Sequence, residues 1–159
     1  MKNPAAFLTF TSLSLSLCLL AQYLCGSGTE VFFSEMCGHS CRIPAVVFNG
    51  FSQLSHLAFG IFLYNRSPEN SGGNNAARFP TLYFSYFSLA LSFVTTVLLF
   101  SHRAFIFSAF WAAILIFFII VLLLALPRLK AGIYFLCWPQ IIFAASLLGF
   151  SIFGIALRI

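Results

Sequence analysis

Five long apolar segments, none of which contains a charged residue, dominate this sequence. They lie close to Ala5–Leu24, Ala45–Tyr64, Thr81–Phe100, Ala104–Leu126 and Ile133–Leu157. Each approaches or exceeds the roughly 20 apolar residues that a helix needs to cross the hydrocarbon core of a bilayer. The runs are continuous and do not alternate apolar with polar residues, which excludes a transmembrane β-barrel. The sequence therefore predicts an all-α fold, a polytopic transmembrane helical bundle of about five spans.

The composition supports one integral membrane domain over residues 1–159. Hydrophobic residues make up 61% of the 159 residues and charged residues only 7%, against about 25% charged in ordinary soluble domains. The net charge of +5 is spread over short loops, which indicates contact with anionic lipid and not with nucleic acid. The lipid bilayer is therefore the first predicted partner, and no nucleic-acid partner is expected.

The loops suggest an orientation for a multi-pass protein. Loop 25–44 contains cysteines, loop 65–80 has the composition of a flexible loop, and the third and fourth spans are joined by a short turn. Five Lys and Arg residues fall on the amino-terminal side of the predicted spans and three on the opposite side. The positive-inside rule then predicts a cytoplasmic amino terminus, with loop 25–44 on the outer or lumenal side.

Two boundaries stay open at this stage. The first segment also has features of a secretory signal peptide, whose cleavage would leave four spans, although its apolar run is long and lacks a clean cleavage site. In the last segment, Trp138-Pro139 either begins the true helix, with proline in its first turn, or kinks a longer one.

Loop 25–44 carries three cysteines, Cys25, Cys37 and Cys41, which are candidates for a disulfide or a redox pair. In an oxidising compartment two of the three are expected to pair, but the spacing does not say which two. Alternatively, Cys37 and Cys41 form a redox pair with His39 between them. A zinc site built from these four residues is disfavoured because the spacing is tight, so we predict no metal.

A second cysteine motif lies near the start of the fifth segment. Cys137-Trp138-Pro139-Gln140 resembles the C-x-x-C of quinone-linked membrane thiol oxidoreductases of the vitamin K epoxide reductase type, although Gln140 stands in place of the second cysteine. The resemblance implies electron transfer from loop cysteines to this site, whereas the predicted topology puts the two on opposite faces of the membrane.

The second span carries a polar face. Asn49, Gln53, His56 and Gly60 follow helical spacing, with Ser52 beside them. Polar groups in a membrane need partners, so this face must look into the bundle. One interpretation is hydrogen bonding between helices, with Gly60 allowing close approach. The other is a ligand-binding site centred on His56, for a proton, a quinone or a haem.

Other segments carry packing signals. Small or hydroxyl-bearing residues recur at helical spacing, which is typical of helix–helix interfaces. Such sets are Ser85, Ser88, Ser92 and Thr95 in the third span, Thr9, Ser12 and Ser16 in the first, and Ala145 with Gly149 in the fifth. The fourth span is almost wholly apolar and is predicted to face lipid or an apolar partner.

These features predict a non-catalytic accessory or structural subunit of a membrane complex, bound to other membrane subunits or to copies of itself. Intramembrane carboxylates and arginines are absent from all five segments, which disfavours ion pumping and voltage sensing. Two alternatives remain: a quinone-linked thiol oxidoreductase using the loop cysteines, or a haem- or small-molecule-binding bundle centred on His56. No catalytic residue is assigned, and the sequence does not specify a cofactor.

Overall fold

The computed structural model describes residues 3–37, 42–66, 78–124 and 135–157, which form an all-helical bundle. The helices are α1 (Pro4–Cys25), α2 (Gly28–Cys37), α3 (Arg42–Arg66), α4 (Arg78–Phe100), α5 (Phe105–Leu124) and α6 (Trp138–Leu157). All of them except α2 are long and apolar enough to cross a membrane. The predicted all-helical fold class is therefore confirmed, and five helices have the length and composition to span a membrane.

Helices α3 and α4 lie at the centre of the bundle. Helix α1 packs against both of them, α5 packs against α4 and α6, and α6 also contacts α3. The central helices bury 44% and 50% of their spans, whereas α1, α5 and α6 bury 28–33%. The three outer helices therefore present most of their apolar surface to the surroundings of the bundle.

Helix α1 begins and ends at local signals that can be read in the sequence. The Asn3 side chain accepts a hydrogen bond from the Ala6 amide, and Pro4 occupies the first helical position, where its missing N–H costs nothing. Gly26, with φ of +51°, ends the helix and donates its amide to the Gln22 and Tyr23 carbonyls. A residue with a Cβ would be strained at that φ.

Helix α2 corrects the sequence prediction, which placed only a polar loop over residues 25–44. Thr29, Phe32 and Phe33 are the buried residues of this ten-residue helix. Their i, i+3, i+4 spacing puts them on one face. Phe32 contacts the ring of Phe100, and Phe33 contacts the ring of Phe48. A short amphipathic helix thus lies in a segment whose Gly, Cys and Glu content is typical of a loop.

An ion pair joins α2 to the α4–α5 turn. The Arg103 guanidinium lies 2.8 Å from the Glu35 carboxylate, and both side chains are partly exposed. Since α2 and this turn are therefore neighbours, we call this side of the molecule the α2 end. At the opposite end, the Asn3 amide donates to the Tyr64 hydroxyl over 3.4 Å, as expected for antiparallel α1 and α3.

The start of α6 settles the open boundary in the last segment. The helix begins at Trp138 and places Pro139 in its first turn, where proline removes no helical hydrogen bond. Residues 135–137 form a turn, so this part of the predicted span is not helical, and Ile133 lies outside the described residues. The end of the predicted fourth span, beyond Leu124, lies outside the described residues.

Two packing predictions fail. Thr9, Ser12 and Ser16 are exposed, and Thr9 and Ser12 donate to carbonyls of their own helix. A hydroxyl satisfied within its own helix needs no neighbouring helix. Ala145 and Gly149 also face outward, and nothing lies within 4 Å of a Cβ built on Gly149.

Helix α5 is buried on one face only. Its inward residues are Phe105, Ser108, Ala112, Leu115, Ile119 and Leu122. Phe107, Phe110 and Phe117 lie on the exposed side, each more than half exposed. The predicted outward exposure of the fourth span therefore holds for one side of the helix, and the other side packs against α4 and α6.

Candidate functional site: the polar core around His56

The polar face of α3 points into the bundle and meets three other helices. Its residues bond to α1, α4 and α6, and we call this group the polar core. The polar core consists of Ser14, Cys18 and Gln22 of α1, Asn49, Ser52, Gln53, Ser55 and His56 of α3, Ser92 of α4 and Gln140 of α6.

His56 lies at the centre of the polar core with 2% of its surface exposed. Its Nδ1 atom is 2.8 Å from the Ser52 carbonyl, and its Nε2 atom is 3.2 Å from the Ser92 hydroxyl. A carbonyl only accepts, so Nδ1 carries the proton; Nε2 of the neutral ring then accepts from Ser92. The edge of the ring packs against Phe143, with centroids 5.4 Å apart. Both ring nitrogens are thus occupied by protein groups.

Helices α1 and α3 come close enough for side-chain to backbone bonding. The Ser14 hydroxyl donates to the His56 carbonyl over 2.6 Å, and the Cys18 sulfur lies 3.1 Å from the Ser52 hydroxyl. The approach depends on Gly60, where a Cβ would lie 2.9 Å from the Thr11 Cα atom. The expectation that Gly60 permits close helix approach is confirmed.

Two glutamines extend the polar core toward the α2 end. Gln53 donates its amide to the Gln22 carbonyl oxygen over 2.9 Å, and Gln22 donates to the Asn49 backbone carbonyl over 3.0 Å. This bond of Asn49 uses its backbone carbonyl and not its side chain. Of the residues on the predicted polar face, Gln53 and His56 thus bond to neighbouring helices through their side chains, and Asn49 does so through its backbone.

The serine and threonine face of α4 is buried as predicted. Ser85, Ser88, Ser92 and Thr95 have no exposed surface. Thr95 donates to the Leu91 carbonyl of its own helix, while its own carbonyl accepts from Ser108 of α5. Ser108 also lies 2.8 Å from the hydroxyl of Ser151 on α6. This face therefore bonds to α5 through Ser108 and to α3 through the contact of Ser92 with His56.

Gln140 is a residue of the polar core that the sequence reasoning did not identify. It lies in the first turn of α6, is fully buried, and accepts a 2.5 Å hydrogen bond from Ser55 through Oε1. The available signal was an amide side chain at the start of an otherwise apolar run. In the motif comparison, Gln140 stands out only as the residue in place of the second cysteine of C-x-x-C.

The cysteines do not form the predicted pair among the described residues. Cys25 is buried at the end of α1, where its sulfur lies 3.6 Å from the Thr96 carbonyl. Cys37 is exposed at the end of α2, and Cys18, Cys25 and Cys37 are free thiols, while Cys137 is buried. The disulfide and the zinc cluster are therefore not supported in the described part of the chain. His39 and Cys41 lie outside it.

Open grooves lie away from the polar core, on the surface of the bundle. One of about 380 Å³ runs between α2, α3 and α6. Its lining is Phe33, Met36, Cys37, Pro44, Val47, Phe48, Phe51 and Phe150. A second, of about 510 Å³, shares Met36 and Phe150 with the first and continues along α6 past Gly149. Their surfaces are mostly apolar, unlike the hydrogen-bonded core around His56.

Comparison of the chain with protein-family models, curated proteins and solved structures finds no match.

Proposed function

We propose that this protein is a non-catalytic accessory or structural subunit of a membrane complex. The observation that carries the proposal is the use of His56 inside the bundle. Both of its ring nitrogens bond to protein groups, one on its own helix and one on α4. Binding a haem iron or a quinone through His56 would require breaking one of these bonds in a medium that offers no water in exchange.

The rest of the polar face supports the same proposal. Gln53 is bonded to Gln22, and Ser52 contacts both Cys18 and the His56 ring through different atoms. Such pairs hold transmembrane helices together because lipid gives no hydrophobic driving force for helix association. Ser52, Gln53 and His56 are thus accounted for by assembly of the bundle.

The exposed helices offer surface for partner subunits. Helices α1, α5 and α6 keep about two thirds or more of their spans unburied within the single chain. Lipid or another apolar surface must cover this area. A small membrane subunit that docks through such faces needs no chemistry of its own.

Native mass spectrometry of the protein released gently from its own membranes tests the proposal. A stoichiometric complex, with another membrane protein or with a second copy, is the expected result. A lone chain would contradict the proposal, and a lone chain carrying a quinone or haem mass would favour the ligand-binding alternative.

Two open glycines make matched variants for the same experiment. A Cβ on Gly149 of α6 or on Gly50 of α3 would meet no atom within 4 Å, so leucine at either position leaves the internal packing intact. If the partner docks on α6, Gly149→Leu dissociates the complex and Gly50→Leu does not. The reverse result would locate the partner on α3.

A further inference from the structure

We propose that the interior of the bundle binds a water molecule at the side-chain amide of Gln140. This side chain has no exposed surface and lies between α3 and α6. Its Oε1 atom is occupied by the Ser55 hydroxyl, while Nε2 has no hydrogen-bond partner among the described residues. An amide N–H without an acceptor is costly in any protein interior, and more so within a bilayer.

The register of the helices indicates which other group the ligand contacts. His56 bonds to Ser92 of α4 and packs against Phe143 of α6, so Ser92 and Phe143 lie at about the same depth. Helices α4 and α6 run in the same direction, because each is separated from the other by the antiparallel α5. One turn toward their amino ends lie Ser88 and Gln140. The bonds of Ser108 to Thr95 and Ser151 place Gln140 up to one helical turn, about 5.4 Å, nearer the amino end than Ser88. Two hydrogen bonds to one water of about 2.8 Å each can span that distance.

Ser88 has the chemistry to complete the site. It is fully buried and donates its proton to the Phe84 carbonyl, which leaves the lone pairs of its oxygen available. A ligand between Gln140 and Ser88 must accept from the amide and donate to the hydroxyl oxygen. Water is the smallest molecule that can both accept and donate a hydrogen bond, and buried waters characteristically bridge polar groups in this way.

Water also fits either orientation of the amide. The Ser55 hydroxyl can donate to Oε1 or accept from Nε2, so rotating the amide by half a turn preserves this bond. The atom that then faces the ligand changes from a donor to an acceptor. A water molecule serves both arrangements, whereas a ligand that only accepts, such as a carbonyl, serves one.

An experimental structure at a resolution that reveals internal waters tests the proposal directly. We expect one peak about 2.7–3.2 Å from the Gln140 amide, which disappears in Gln140→Met and persists in the matched variant Gln53→Met. A protein carbonyl in that position, a larger ligand, or no peak where other internal waters are resolved would overturn the proposal.

A double-mutant cycle of thermal unfolding midpoints provides a second test, which does not require an experimental structure. If a water joins the two side chains, Ser88→Ala lowers the unfolding midpoint of the wild type by about 2–4 °C, but has little effect in a Gln140→Met background. Equal shifts in the two backgrounds would mean that the residues are not coupled, and would overturn the proposed bridge.

Discussion

The backbone of Thr11 lies directly against Gly60, so that a Cβ at position 60 would be 2.9 Å from the Thr11 Cα atom and 3.2 Å from the Ser14 Cβ atom. This contact sets the spacing of α1 and α3. It also explains why the Ser14 hydroxyl reaches the backbone of α3 over 2.6 Å. Because residue 60 is glycine, the backbones of α1 and α3 contact each other directly, without a side chain between them.

Replacing Gly60 with alanine should destabilise the protein by about 1–3 kcal/mol, the usual cost of overpacking a tight contact. The relevant neighbours are backbone atoms, which cannot move without shifting a helix. Gly50→Ala on the same helix is the matched control, because its Cβ meets nothing within 4 Å. There the better helix propensity of alanine should leave stability unchanged or raised by up to about 1 kcal/mol. Reversible unfolding in detergent measures both, and equal effects would contradict the close approach.

The bond between His56 and Ser92 should appear as a coupling energy in a double-mutant cycle. Combining His56→Phe with Ser92→Ala should give about 0.6 kcal/mol, and up to about 1.7 kcal/mol, as found for hydrogen bonds between transmembrane helices. Thr95→Ala is the control, because the Thr95 hydroxyl donates within α4. Absence of coupling to Ser92 would contradict the assigned contact. Loss of a visible chromophore in His56→Phe would instead favour the haem-binding alternative.

Thiol labelling should separate Cys37 from the other described cysteines. In a Cys41→Ser background without reductant, Cys37 should react quickly with maleimide, since it is exposed. Cys18, Cys25 and Cys137 are buried and should react only after unfolding. A Cys37 that needs prior reduction would contradict the free thiol. In sealed vesicles, a reagent that cannot cross the membrane also tests the predicted outer or lumenal position of loop 25–44.

Removing the Phe32 ring should detach α2 from the bundle. Phe32 is 1% exposed and contacts the rings of Phe33, Phe100 and Phe150, so Phe32→Ala should cost about 3–5 kcal/mol. Val31→Ala, at a position 37% exposed on the same helix, should change stability by no more than about 0.5 kcal/mol. Unfolding measurements check both, and a Phe32 variant as stable as its control would show that α2 contributes little.

The membrane-spanning helices and the inward face of α3 can be predicted from the amino-acid sequence without further information. Continuous apolar runs leave a helix as the only structure that satisfies every backbone group without water. The spacing of Gln53, His56 and Gly60 placed them on one face, and a polar face in lipid must point inward. Both conclusions follow from local periodicity and from the solvent, which is why no tertiary information was needed.

Which groups meet, and which hydroxyl-bearing faces are buried, depends on how the helices pack together. Ser85 and Ser88 face the interior while Thr9 and Ser12 face outward, although both sets follow helical spacing. A hydroxyl that bonds to its own helix is stable on either side, so its position depends on where the neighbouring helices lie. The contact of Ser55 with Gln140 joins residues 85 positions apart. Only the packing of α6 against α3 brings them together.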